Sequence, residues 1–203
     1  RPGRGTPPPQ TVTRARGTEV RAPVVSILAE RIVELHRALR KAGIPHAFGG
    51  ALALAYCTEQ ARATLDIDVN VFIGTGEIPR LRAALPESVR LTDTVRKQLV
   101  ADGQARILWG QIPLDLFLDT TPFHQAAAER VVWHRFGKLD LPFLCCNDLA
   151  VFKAFFARTK DWADLEEVHR VGLLDVDRVC GVLAEYLGPD DERIARLRSI
   201  AEG

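Results

Sequence analysis

The stretch at residues 66–73, DIDVNVFI, constrains the fold more than any other part of the chain. Successive side chains of an extended strand point to opposite sides, so Ile67, Val69, Val71 and Ile73 share one face and Asp66, Asp68, Asn70 and Phe72 the other. That alternation is the pattern of a half-buried strand, so the chain contains a sheet. It also sets two carboxylates side by side. Such a pair repels itself and loses hydration when covered, and it persists mainly where a cation neutralises it. Hard oxygen ligands suit Mg²⁺ or Mn²⁺. Simple amphipathicity would place the same two charges on a solvated face, so spacing alone leaves both readings open.

The flanks supply more structure. Apolar residues at helical spacing, from Val25 to Leu39, predict a helix over 24–41 that ends at Gly43. Residues 44–48 read as a short strand. Gly49 and Gly50 then open a small-residue helix, ALALAYC. Glycines between a strand and a helix let backbone approach a phosphate, and the helix N-terminus offers free N–H groups; an ordinary turn would need only one of them. A helix follows over 78–85, then a hairpin from VRKQLV through Ala101-Asp102-Gly103 to ARILW, and a strand over 112–119. Asp115 sits among apolar residues on that last strand, which should neighbour the first; a partner cation is one explanation and an edge-strand charge facing water is the other.

The second half is mainly helical. A helix is expected over 122–129, with short strands near 131–136 and 141–145. Helices follow over 148–158 with Asn147 as N-cap, 162–170 with Asp161 as N-cap, 175–187 and 190–201. Were 148–164 continuous, Lys153, Lys160 and Asp164 would share one stripe. The expected fold class is therefore α/β (α+β), a mixed sheet with flanking helices. Residues 23–120 form its core, and 121–203 is a mainly helical region completing an active-site cleft.

Composition narrows the setting. Hydrophobic residues make up 47% and charged residues 26%, with no apolar run near the length of a membrane span. Residues 1–22 hold five arginines and one glutamate, a +4 segment that leaves −3 of the net +1 on the remainder. This Pro-, Gly- and Arg-rich stretch reads as a disordered basic tail able to touch nucleic acid electrostatically. Cys57, Cys145, Cys146 and Cys180 lack any C-x-x-C spacing and read as free thiols in a reducing cytoplasm. The five histidines show no ligand spacing, and Phe152, Phe155, Phe156 and Trp162 read as core.

With these residues in place, the string FGGALALAY…ARATLDIDVNVFI resembles the Gly-Gly/Ser and D-x-D signature of the polymerase-beta-like nucleotidyltransferase superfamily. The downstream NDLAVFKAFFARTKDWADLEE is similar to a helical element of its AbiEii-type branch, which includes toxins of toxin–antitoxin pairs. The resemblance spans about residues 30–170. It implies a nucleotidyltransferase-fold sheet and transfer of a nucleotide from a nucleoside triphosphate (NTP), with pyrophosphate released. Asp66, Asp68 and Asp115 would bind Mg²⁺ (or Mn²⁺). Gly49, Gly50, Arg62, Lys153 and Lys160 would hold the nucleotide, and Asp161 and Asp164 would serve the same pocket. It further implies tRNA, at its 3′ end, as acceptor, a separately encoded antitoxin protein as partner, and Thr64 as a regulatory phosphorylation site. Two rivals stand beside it: a small-molecule nucleotidyltransferase of the aminoglycoside type, and a catalytically silent binding module of the same fold.

Overall fold

The computed structural model describes residues 21–60 and 64–202. Residues 1–20 of the basic tail and Arg62 thus lie outside the described residues, and Arg21 and Ala22 belong to the first helix. Helix α1 (Arg21–Lys41) buries Leu28, Ile32, Leu35 and Leu39, the stripe its periodicity prescribes. Gly43, at φ 63°, turns the chain, and Ile44 donates back to the Leu39 carbonyl at 2.9 Å. Strand β1 (His46–Phe48) leads into α2 (Gly50–Thr58), followed by β2 (Ile67–Val71) and α3 (Ile78–Ala84). Helix α4 (Asp93–Asp102), strands β3 (Gln104–Trp109) and β4 (Ile112–Leu118), and α5 (Pro122–Glu129) come next. Strands β5 (Val132–Phe136) and β6 (Leu139–Phe143) precede the helices α6 (Cys146–Phe156), α7 (Thr159–Arg170), α8 (Val176–Leu187) and α9 (Glu192–Glu202).

The six strands form one mixed sheet in the order β3-β4-β2-β1-β6-β5. β2 runs parallel to β4 and antiparallel to β1, while β6 lies parallel to β1. The sheet therefore takes its last two strands from residues 132–143, beyond the expected core segment. Ile67, Val69, Val71, Leu114, Leu116 and Leu118 are all fully buried, so the two central strands carry the main core. A second apolar cluster lies among the C-terminal helices, around Val151, Trp162, Leu165, Val179 and Leu183. Among the described residues no helix is long and apolar enough to cross a membrane.

Several local expectations need correction. Residues 95–100 are helix α4 and not the first strand of a hairpin. The Thr92 hydroxyl accepts from the Val95 amide at 3.3 Å, and Gly103, at φ 68°, closes the helix by donating to the Leu99 carbonyl. A glycine in the left-handed region ends a helix as readily as it turns a hairpin, which is why Asp102-Gly103 misled. The hairpin is the next one, β3–β4, closing at Trp109 and Ile112. Asn147 does not cap α6; its side chain accepts from the Asp175 amide at 2.8 Å, and Cys145 occupies the cap.

The cysteine reading is half corrected. Cys57, at the end of α2, and Cys146, at the start of α6, form a disulfide with Cα atoms 5.7 Å apart, while Cys145 and Cys180 are free. The pair is 89 residues apart in sequence, and only the packing of α2 against α6 brings it together. His36 and His46 are buried and hydrogen-bonded to each other at 3.0 Å, a structural pair as expected.

The N-cap of α4 gives a direct check. Thr92→Ala should destabilise the protein by about 1 kcal/mol in equilibrium denaturation. No change would mean that α4 is not capped as described.

Candidate active site

Sheet register builds the acidic centre. Asp68 on β2 pairs directly with Asp115 on the parallel β4, so the two carboxylates project from the same face of neighbouring strands. Asp66 stands just before β2, and the Thr64 hydroxyl donates to its Oδ1 at 2.5 Å. The three predicted carboxylates are therefore brought together, with Thr64 beside them. Burial, then the charges of Asp66 and Asp115, push the Asp68 carboxyl up to about 6 against the pull of Lys153 and Lys160.

Arg106, which sequence reasoning missed, is the cation at this centre. It lies opposite Asp115 on the antiparallel β3. Its Nε and Nη2 donate to the two Asp115 oxygens at 2.7 and 2.5 Å, and Nη2 stands 3.6 Å from Asp66 Oδ2. Those hydrogen bonds hold the guanidinium still more firmly in its charged form. A signal existed: in ARILW, Arg106 alternates with buried Ala105 and Ile107, but its partner depends on a strand register invisible in sequence.

The two glycines stand beside Asp68. The Gly49 amide donates to the Asp68 carbonyl at 2.9 Å. Gly50, the first residue of α2, has φ 53°, and a Cβ there would overlap the Asp68 carboxylate. No other residue allows this backbone so close to the acid. The N-terminal amides of α2 thus open beside Asp68.

The C-terminal helices close the other wall. Ala157, at φ 51°, ends α6, so residues 148–164 are two helices and the continuous stripe through Lys160 does not form. Lys160 is exposed. Lys153 is nonetheless buried, its Nζ 2.7 Å from Asp164 Oδ2 and 3.6 Å from Asp161 Oδ1. Asp161 is the third residue of α7 and not its cap. It accepts from the Arg158 amide at 3.2 Å and from Arg158 Nε at 2.6 Å, closing a capping box. These acids hold Lys153 and Arg158 in place, and Asp161 lines the same throat as Asp68.

A cleft of about 240 Å³ runs along Asp68, Arg106, Asp115 and Arg158. A narrower throat continues past Gly50, Asn70 and Lys153. Asn70 is only 3% exposed, and its Oδ1 has no partner. Among the described residues, no group of three or more His, Cys, Asp or Glu side chains stands in metal-holding geometry. Asp66, Asp68 and Asp115 carry the oxygen donors that a hard divalent cation takes, but the Arg106 guanidinium stands between Asp66 and Asp115.

The six-stranded mixed sheet with its flanking helices has the nucleotidyltransferase fold. The chain is similar to the antibiotic-resistance factor ANT(2'')-Ia in solution, at 15% identity over 87% of this chain and 92% of that one, with a TM-score of 0.53. A second similar structure is an antigenic nucleotidyltransferase-like protein from Paracoccidioides brasiliensis, at 12% identity over 87% and 91% of the chains, TM-score 0.44. No family model and no curated protein matches the sequence.

The raised Asp68 carboxyl has a thermodynamic consequence. Its folded value, about 6, exceeds the unfolded 3.8, so the folded state binds more protons between those values and loses stability as pH rises through them. Asp68→Asn removes this penalty. In chelator-containing buffer the variant should melt about 3–8 °C above the parent at pH 8, with the difference vanishing near pH 4. A variant less stable than the parent at pH 8 would refute the assignment of a strained acid.

Proposed function

We propose that this chain is a metal-dependent nucleotidyltransferase that moves a nucleotide from an NTP to the 3′ end of tRNA. By blocking translation it would act as a toxin in the cytoplasm, restrained by a separately encoded antitoxin. The observation that carries the transfer reading is the Asp68–Asp115 register pair with Asp66, set beside Gly50 and the N-terminus of α2 on this fold. The tRNA and toxin elements rest on the resemblance of the two sequence motifs to the AbiEii-type branch.

Each group then has a task. The α2 N-terminal amides, opened by Gly50, bind the phosphates, and Lys153, pinned by Asp164, balances their charge. Asp66, Asp68 and Asp115 would hold Mg²⁺ or Mn²⁺, which supplies charge neutralisation at the reacting phosphate and the leaving oxygen. Arg106, half exposed in its pair with Asp115, would be within reach of the triphosphate. The acceptor hydroxyl oxygen attacks the α-phosphorus, its proton passes to a carboxylate of the centre, and the bond to the β-phosphate breaks to release pyrophosphate. Exposed Arg158 and Lys160 flank the mouth and would meet an anionic acceptor. Arg62, two residues before Thr64, is assigned to nucleotide binding on sequence grounds alone.

One observation favours a second reading. The similar structure with the highest TM-score quoted above is an antibiotic-resistance factor, so a small aminoglycoside-type acceptor is the rival. Incubating the protein with total tRNA, an aminoglycoside panel, Mg²⁺ and each labelled NTP separates the two. Label should enter tRNA, and Asp66→Ala should reduce it by about 10³-fold. Label in an aminoglycoside instead transfers the assignment to the rival; no label in any acceptor defeats both.

Thr64 offers a means of silencing. Its hydroxyl touches the Asp66 carboxylate, so a phosphate there adds about −1.5 to −2 charge beside the cation seat. Thr64→Glu should abolish tRNA labelling while leaving the melting temperature within a few degrees of the parent. Full labelling by this variant would eliminate Thr64 as a control point.

A further inference from the structure

Beyond the acidic centre, a second pocket of about 240 Å³ opens between β4, α5 and the ends of α6 and α8. Its walls are aromatic: Phe117, Phe123, Phe152, Phe155, Phe156 and Tyr186. The rings meet edge-on or tilted, Phe123 to Phe152 at 5.4 Å, Phe117 to Phe156 at 5.9 Å and Phe155 to Tyr186 at 5.9 Å between centroids. Its polar lining is Asp102, Gln104, Thr120, Thr121 and the imidazole of His124, which burial keeps neutral. An aromatic-walled pocket with these polar groups suits a planar heteroaromatic ring.

The pocket is continuous with the site already described. Gln104, Phe117 and Phe156 line both it and the acidic cleft, and Phe117, Phe152 and Phe156 also line the throat that holds Gly50 and Lys153. The throat brings together Gly50, Lys153, the buried Asn70 with its unpaired carbonyl oxygen and three of the phenylalanines. These are groups suited to a triphosphate, a sugar and a base.

We propose that the phenylalanine-lined pocket seats the nucleobase of the NTP, with Asn70 placed to accept from a sugar hydroxyl in the throat. This rests on the nucleotide-transfer reading for its ligand class. Phe156 is the informative position, because it is 41% exposed and contributes little to the core. Base stacking on an aromatic side chain changes affinity by about 10-fold or more.

The test measures binding of each NTP and of inorganic tripolyphosphate, with Mg²⁺, by calorimetry. Parent, Phe156→Ala and Phe156→Trp are compared. The expected result is NTP binding weakened about 10-fold in Phe156→Ala and recovered in Phe156→Trp, with tripolyphosphate binding equal in all three. Equal loss of NTP and tripolyphosphate, or no loss of either, would overturn the assignment. Free nucleosides should shift the aromatic NMR signals of the parent and not of Phe156→Ala; no shift in the parent would likewise overturn it. The transfer reading fails differently: with no pyrophosphate released from bound NTP, the base seat still stands on the NTP and nucleoside results.

Discussion

Three carboxylates brought within one guanidinium's reach are the constraint on which this structure turns. Asp66, Asp68 and Asp115 repel one another, and burial sharpens the repulsion at Asp68. A fold that keeps them together needs a cation, and here Arg106 supplies it through a two-pronged bond to Asp115. The parallel β2–β4 pairing that creates the problem is also the centre of the hydrophobic core, since each acid alternates with fully buried Ile67, Val69, Leu114 or Leu116. Apolar burial on one face thus holds charge together on the other. Stability and chemistry are drawn from opposite sides of the same two strands.

The same tension explains the surrounding residues. Gly50 is required because the helix must begin against an acid, where any side chain would collide with Asp68. Lys153 is buried only because Asp164 and Asp161 share its charge. Arg158 ties Asp161 to the start of α7, so the break after Phe156 becomes a fixed corner. The last residue before the break, Phe156, and the second after it, Arg158, both line the cleft.

Much of this was legible in the sequence, and the parts that were not share a physical cause. The alternation in DIDVNVFI, the strand around Asp115 and the glycine pair each declare themselves through local periodicity or backbone freedom. The pairing of Asp68 with Asp115 was legible as an expected neighbourhood of strands, though not as a register. Arg106 escaped because its role exists only across a strand pair. Residues 95–100 were misread because Asp102-Gly103 serves two kinds of turn, and the hydroxyl of Thr92 that decides between them is a cap three residues before Val95. Asp161 carries the composition of an N-cap yet acts from the third position, one turn into the helix.

The Cys57–Cys146 bridge joins the last turn of the helix that Gly50 opens to the first turn of the helix that carries Lys153. Enclosing 89 residues, it removes about 4–5 kcal/mol of chain entropy from the unfolded state while intact. It also closes residues 57–146, with every strand of the sheet except β1, into a covalent ring. A peptide bond cut in any loop between the two cysteines would release no fragment, and both walls of the cleft would remain part of one molecule.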